Sequence, residues 1–256
     1  MATRRDGRGA EAIRPVQVQV GFHTMAEGSV LYRAGGTLVL VTASVDDTVP
    51  EFMRGAGRGW VTAEYQMHPR SNPVRRESRE GRGKPLSGRS QEIQRLIGRS
   101  LRAALDLDRL GERTISIDAD VLEADGGTRT ASITGGWIAL VAALDKLRTR
   151  GLLSGPVVRD QVAAVSAGHV GGELLLDLCY SEDSKARVDL SVVGTAPGRI
   201  VEVQGTAEGE AVERSEIDAM VELSLRGIAE LVKLQSGALE QAGIDVAGLL
   251  VPRGGA

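Results

Sequence analysis

The sequence predicts an α+β protein made of two halves, in each of which several strands are followed by a helix. Residues 16–20 alternate strictly between apolar and polar side chains, and residues 37–45 form an apolar run typical of a strand buried on both faces. Residues 131–147 and 215–241 instead repeat apolar side chains at helical spacing. The recurring order of strands and helix suggests an old duplication, although the residues themselves show no clean repeat.

The composition is typical of a folded protein from a reducing compartment. The chain has 256 residues and a formal net charge of −3, which suits one large core or two closely packed halves. Its single cysteine, Cys179, cannot form an internal disulfide, and the first residues lack the apolar segment of a signal peptide. Apolar runs are far shorter than a membrane span, so we expect a cytoplasmic protein without a membrane segment.

The first half is expected to span residues 1–147. Its start, residues 1–14, is predicted to be a loose arm or one ordered by a neighbour. Ser90 is expected to cap a first helix, ahead of an apolar stripe that includes Ile93 and Ile97. The strands expected in this half are 16–20, one beginning at residue 28, 37–45, 60–67 and 113–122, and a second helix is expected at 131–147.

The second half is expected to span residues 148–242, followed by a weakly structured tail at 243–256. Residues 148–161 are expected to form the connector, which is the best candidate boundary between the two halves. The strands expected here are 162–170, 173–180, 186–195 and 199–204, and a final helix is expected at 215–241.

Several carboxylates are concentrated in one stretch of the second half, residues 177–209. A turn through Ser184 and Lys185 would return the chain so that Asp183 and Asp189 face one point. Carboxylates held close together favour a positive ion between them, and oxygen ligands with few histidines favour Mg²⁺ or Mn²⁺ over zinc. The alternative is a pair of solvated acids that flank an ordinary hairpin.

Two sequence features of the first half suit a phosphate group. A strand, a glycine pair and a helix start meet at Gly126 and Gly127, where free N–H groups and the helix dipole favour an anion. Thr128 adds a hydroxyl group and Arg129 a guanidinium. Arg89 lies at the entrance of the other helix. The pattern is neither a Walker A loop nor GxGxxG, and the alternative is a structural glycine turn.

Arginine is concentrated between residues 70 and 102, in a long loop and the helix that follows it. Guanidinium groups suit phosphates, and the loop at 68–89 has no aromatic residue, so we expect it to hold an RNA backbone without base stacking. For the helix arginines, the alternative is a solvated face. The candidate RNA-binding residues are Arg70, Arg75, Arg76, Arg79, Arg95 and Arg99.

These motifs, taken together and in order, resemble the ribonuclease PH family of phosphate-dependent 3′-to-5′ exoribonucleases. The resemblance covers roughly residues 13–240. It implies duplicated βαβα units of the ribosomal protein S5 domain 2 type and a homohexamer arranged as a trimer of dimers. The matching blocks are residues 14–16, 28–31, 59–65, 88–90, 92–99, 124–135, 182–184 and 203–209.

The resemblance also implies roles for particular residues. Phosphate binding falls on Arg89, Gly127, Thr128 and Arg129, with Arg89 and Arg129 also catalytic. Catalysis and metal binding fall on Asp183 and Asp189, which would hold Mg²⁺ or Mn²⁺. The chain departs from the common family pattern at a few positions that leave these side chains in place: Cys179, His169 and Ser191.

The activity that the resemblance implies is phosphorolysis. Inorganic phosphate, the co-substrate, would attack the last phosphodiester of an RNA such as a transfer RNA precursor and release a nucleoside 5′-diphosphate. The reverse reaction would add a nucleotide, and ribosomal RNA would be a further substrate. Two alternatives remain at this point, a non-catalytic RNA-binding ring subunit and a metal-dependent hydrolytic nuclease, although hydrolysis needs no pocket for an anion.

Overall fold

Within the part of the chain that the structure describes, two β-sheets and five α-helices form the fold, and a long central helix packs against both sheets. The computed structural model describes residues 4–252 apart from Arg75, Glu77, Arg82 and Lys84. The predicted α+β architecture, with strands preceding a helix in each half, is confirmed. No helix within these described ranges is both long enough and apolar enough to cross a membrane.

The first sheet contains five strands, in the order β1-β2-β3-β5-β4. Its neighbouring strands are antiparallel except β4 and β5, which are parallel. The Gly35 and Gly36 pair connects β2 to β3, as predicted, with Ala34 opposite Thr37. The strands are β1 (Val16–Val20), β2 (Gly28–Ala34), β3 (Thr37–Asp46), β4 (Trp60–Met67) and β5 (Thr114–Glu123).

The second sheet contains four antiparallel strands, in the order β7-β6-β8-β9. The strand predicted at 173–180 is shorter than expected, because Asp177 adopts a left-handed φ of 54° that breaks the extended backbone. A single helical turn at 180–183 follows it. The strands are β6 (Val162–Val170), β7 (Glu173–Leu176), β8 (Val188–Thr195) and β9 (Ile200–Ala207).

A capping side chain or a glycine marks the start of each of the two helices next to the candidate site. The first begins earlier than predicted, because Ser87 is the N-cap and its side chain accepts a hydrogen bond from the backbone N–H of Ser90. The central helix begins after Gly127, whose φ is 63°. The helices are α1 (Gly88–Ala103), α2 (Leu107–Leu110), α3 (Thr128–Thr149), α4 (Tyr180–Asp183) and α5 (Arg214–Gln241).

The central helix α3 is buried on nearly all sides, because it packs against β2 and β3 of the first sheet and β6 of the second. Close packing depends on glycine where α3 crosses β2. A Cβ atom on Gly28 would lie 1.9 Å from the carbonyl oxygen of Ala139. The core around Trp137 includes residues of both halves, such as Val162 and Leu239. The division of the chain near residue 147 therefore stays a prediction.

The tail is more ordered than expected. Leu249 is fully buried, and its carbonyl oxygen accepts hydrogen bonds from the backbone N–H groups of Val157 and Val158, at 3.0 and 2.9 Å. The expectation of a weakly structured tail is wrong for the described part of it, because Ile244, Val246 and Leu249 pack against the main core. Residues 253–256 lie outside the described part of the chain.

Candidate active site

The turn between β5 and α3 lies against the backbone of the second half. Gly126 and Gly127 have φ angles of 75° and 63°, which favour glycine. A Cβ atom on Gly126 would lie only 2.7 Å from the carbonyl oxygen of Leu178. In addition, the backbone N–H of Tyr180 donates to Oδ1 of Asp125 at 3.2 Å. The predicted phosphate turn therefore contacts the segment that leads into α4.

The two residues that begin α3 each contact a polar side chain from another element. Oγ1 of Thr128, which is buried, lies 2.8 Å from the hydroxyl oxygen of Tyr65 on β4. Nη1 of Arg129 donates to Oε1 of Gln204 on β9 at 3.1 Å. The N-cap Gly127 has no side chain to bond the first N–H groups of α3, so this helix start suits an anion.

Arg89 lies in the first turn of α1 and is exposed. Like Thr128 and Arg129, it influences the hydroxyl group of Tyr65. Burial raises the pKa of Tyr65, whereas the hydrogen bond with Thr128 and the positive charges of Arg89 and Arg129 lower it. One acidic group also lies nearby, because Oε1 of Glu92 is 3.5 Å from Nη1 of Arg129. The structure therefore brings Arg89, Thr128 and Arg129 together.

The two candidate carboxylates come from different elements of the second half. Asp183 ends α4 and is exposed, whereas Asp189 lies on β8 and is partly buried. Desolvation raises the pKa of Asp183, and the positive charges of Arg89, Arg129 and Arg14 oppose that shift. Desolvation and then the charge of Asp183 raise the pKa of Asp189, while Arg129 opposes. The two carboxyl groups thus interact with each other and with cations of the first half.

The donor set of this pair suits a hard divalent cation. Desolvation and then the negative charge of Asp183 raise the pKa of Asp189, and a cation between the two carboxylates would offset their repulsion. Mg²⁺ is commonly bound through one or two carboxylates, with water and substrate oxygens as its other ligands. Across the described residues, no group of three or more His, Cys, Asp or Glu side chains is arranged to hold a metal.

The predicted RNA-binding loop lies between β4 and α1. Arg70, Arg76 and Arg79 are exposed there. Arg75 is outside the described residues. Exposed guanidinium groups are available to an RNA backbone, and their role stays a prediction.

The two helix arginines differ in their environment. Arg95 is exposed on α1. Arg99 forms two hydrogen bonds with Glu202 of β9, from Nε at 2.9 Å and from Nη2 at 2.6 Å. Arg99 therefore joins the two halves, and its guanidinium is less available to RNA than that of Arg95.

Three residues of this pocket were assigned no role from the sequence: Tyr65, Gln204 and Arg14. Tyr65 and Gln204 contact the phosphate turn as described above, and Nη1 of Arg14 donates to the carbonyl oxygen of Asp125 at 2.7 Å. All three lie inside the family-like blocks at 59–65, 203–209 and 14–16. Their position inside these blocks was the one sequence signal that could have pointed to them. Spacing along the chain does not show which side chains contact each other.

Solved structures of other proteins share this fold. Rrp46 from rice (Oryza sativa) has a TM-score of 0.75 at 16% identity, over 92% of this chain and 100% of that one. The Archaeoglobus fulgidus exosome "with RNA bound to the active site" has a TM-score of 0.73 at 24% identity, over 91% and 92%. These similarities confirm the predicted fold of the ribosomal protein S5 domain 2 type.

Family models and curated relatives match most of the chain. The model of the 3′ exoribonuclease family, domain 1, matches residues 12–144, and domain 2 matches residues 160–227. A protein named ribonuclease PH from Parasynechococcus marenigrum (strain WH8102) is 54% identical over 93% of this chain and 95% of its own length. Another of that name, from Solibacter usitatus (strain Ellin6076), is 51% identical over 93% and 99%. The predicted resemblance and the predicted exoribonuclease class are confirmed, and the chain belongs to the 3′ exoribonuclease family of ribonuclease PH.

Proposed function

We propose that this chain shortens RNA from its 3′ end by phosphorolysis. Inorganic phosphate attacks the terminal phosphodiester, and a nucleoside 5′-diphosphate leaves; the reverse reaction adds a nucleotide. One observation carries the proposal beyond family membership. The backbone N–H of Tyr180, which begins α4, donates to Oδ1 of Asp125 beside the phosphate turn at 3.2 Å. Because Asp183 ends that same four-residue helix, the proposed anion pocket adjoins a carboxylate of the proposed metal site. A hydrolytic nuclease has no need of that anion pocket.

The chemical obstacle is that one anion must attack another. Two unit charges about 4 Å apart repel by about 4 kcal/mol at an effective dielectric near 20. Arg89, Arg129 and the start of α3 would hold the attacking phosphate and lower this repulsion. The hydrogen bond from Arg129 to Gln204 keeps that guanidinium in place. Positioning and electrostatics then carry the reaction, as in other phosphoryl transfers.

Asp183 and Asp189 are the residues that we propose hold Mg²⁺ or Mn²⁺. The ion, when bound, would neutralise charge that develops on the scissile phosphodiester. Because both carboxylates belong to the second half of the chain, they would place the charge of the ion on that side of the pocket. Their accessibility, with Asp183 exposed and Asp189 partly buried, leaves room for substrate oxygens.

The RNA substrate is proposed to run over the exposed arginines of the loop and of α1. Arg70, Arg76, Arg79 and Arg95 are exposed, and we include Arg75 and Arg99 from the sequence. Contacts to phosphates give binding that weakens with salt and has little sequence preference. Transfer RNA precursors are the proposed substrates, in the cytoplasm.

The assembly is proposed to be a homohexamer, a trimer of dimers. The edge strand β9 supports association, since Ile200 and Val203 are 51% and 38% exposed there and an open apolar edge tends to pair with another chain. Light scattering tests this directly, because six copies of the 27.0 kDa chain are easily distinguished from one or two.

The activity is tested by incubating a short single-stranded RNA with the protein, with and without inorganic phosphate, and by identifying the mononucleotide released. Nucleoside diphosphate that forms only with phosphate is the expected result. Monophosphate formed without phosphate would show hydrolysis instead. RNA that binds but is never shortened would indicate a non-catalytic subunit.

A further inference from the structure

The side chain of Arg14 lies between the phosphate turn of the first half and the carboxylate-bearing segment of the second. It is 2% exposed. Nη1 donates to the carbonyl oxygen of Asp125 at 2.7 Å and more weakly to that of Gly126 at 3.4 Å. Nη2 and Nε donate to Oδ1 and Oδ2 of Asp177, at 2.7 and 3.0 Å. One planar guanidinium therefore contacts both halves.

Asp177 is held in an unusual conformation by these contacts. Its φ of 54° is left-handed, a region that non-glycine residues seldom adopt. Its Oδ2 also accepts from the backbone N–H of Arg14 at 2.7 Å, and its own N–H donates to the carbonyl oxygen of Ser166 at 2.6 Å. Asp177 is 5% exposed. In this buried ion pair each nitrogen of the guanidinium donates a hydrogen bond, and its partner is a strained residue, so the local geometry is tightly defined.

The segment from Asp177 to α4 is held by further arginines of the same N-terminal arm. Nε and Nη2 of Arg4 donate to the two carboxylate oxygens of Glu182, at 2.8 and 2.7 Å, and Nη2 also reaches the carbonyl oxygen of Asp177. Nη2 of Arg8 donates to that same carbonyl at 3.2 Å. Glu182 immediately precedes Asp183, so the arm restrains the backbone that carries this carboxylate.

We propose that Arg14 and Asp177 are positioning residues that set the separation between the phosphate turn and the carboxylates of the active site. Neither residue touches substrate in this proposal, which rests on the proposed function. The guanidinium of Arg14 donates both to the phosphate turn and to the two carboxylate oxygens of Asp177, whereas a lysine ammonium concentrates its charge at one point. Loss of the Arg14 guanidinium would leave both halves folded but would shift the phosphate turn relative to α4.

The test compares Arg14→Lys and Asp177→Asn with the wild-type chain. Asparagine has nearly the shape of aspartate and tolerates a left-handed φ, so Asp177→Asn is the variant less prone to misfold. The matched control is Asp160→Asn, which removes another buried carboxylate paired with an arginine, Arg199, away from the phosphate turn. For each protein we would measure the melting temperature, the Kd for inorganic phosphate without RNA, and kcat and KM for phosphate.

We expect both variants to raise the phosphate Kd and the phosphate KM at least tenfold, with a small change in RNA affinity, while the control changes neither constant. The double variant should have a phosphate Kd and KM no higher than those of the more impaired single variant, because both substitutions break the same Arg14–Asp177 contact. A lowered melting temperature with unchanged phosphate Kd and KM would refute the positioning role and show that Arg14 and Asp177 only stabilise the fold. Wild-type protein that neither binds phosphate nor releases diphosphate would refute the proposed function, a result separate from any change in the variants.

Discussion

Arg129 of α3 donates a hydrogen bond of 3.1 Å to the side-chain oxygen of Gln204 on β9, so a residue of the second sheet orients a cation of the first half. Gln204→Ala should free that guanidinium and raise the phosphate KM about tenfold, since one charge-assisted hydrogen bond is worth roughly 1.5–3 kcal/mol. The matched control is Gln161→Ala, because Gln161 bonds Ser236 on α5. Equal phosphate KM values in both variants would rule out this orienting role.

Asp189→Asn should abolish most activity without unfolding the protein. The substitution keeps the shape of the side chain but removes one of the two charges proposed to hold a divalent ion. Removal of a charged group of this kind commonly lowers kcat by about 100-fold or more. Single-turnover rates with saturating RNA and phosphate measure the effect. Full turnover by the variant would remove Asp189 from the metal site.

Gly126→Ala should be more damaging than an alanine at another left-handed glycine. Gly171 has a φ of 59° and no neighbour within 4 Å of a Cβ atom, so Gly171→Ala should cost only the backbone strain, about 1–2 kcal/mol. Gly126→Ala adds the clash with the carbonyl of Leu178. Chemical denaturation and phosphate Kd measure the comparison, and equal losses would argue against the close approach.

Arg76→Gln and Arg79→Gln should weaken RNA binding without affecting phosphate binding. Each lost phosphate contact should reduce the slope of log affinity against log salt by about 0.7 for single-stranded RNA. The control is Arg214→Gln at the start of α5, where the arginine is exposed and lies 3.4 Å from Asp218. An unchanged salt slope in the loop variants would place the RNA elsewhere.

Asp118→Asn should stabilise the protein at neutral pH without changing its activity. Desolvation and then the charge of Asp120 raise the pKa of Asp118. The folded state therefore disfavours the charged form, a penalty absent below the unfolded pKa of about 3.9 and fully present above the folded pKa. The variant should gain about 0.5 kcal/mol at pH 7.

The same gain should shrink as the pH falls toward 4, because the folded wild-type chain then binds the proton at Asp118 and the unfolded chain begins to bind it. Urea titrations at pH 7 and pH 4 measure it. A gain of equal size at both values would mean that desolvation of the charge is not its cause.

Much of the secondary structure followed from local patterns. Alternation predicted β1 to the residue, β4 was also predicted with the bounds it has, and helical spacing predicted most of α3 and α5. The strand predicted at 173–180 ends early, at Leu176. Its apolar pattern continues through Leu178, but the backbone turns at Asp177. That turn depends on Arg14, which is 163 residues away in the chain, and no local pattern records it.

The sequence by itself determined the family, the likeness to phosphate-binding turns and which acidic and basic side chains were candidates, because motifs and periodicity depend on neighbouring residues. Only the tertiary structure decided that the turn at Gly126 touches Leu178, that Arg129 meets Gln204, and that Arg14 contacts both halves. Those contacts arise because α3 is packed between two sheets, and such long-range packing brings together residues whose separation along the chain carries no signal of their meeting.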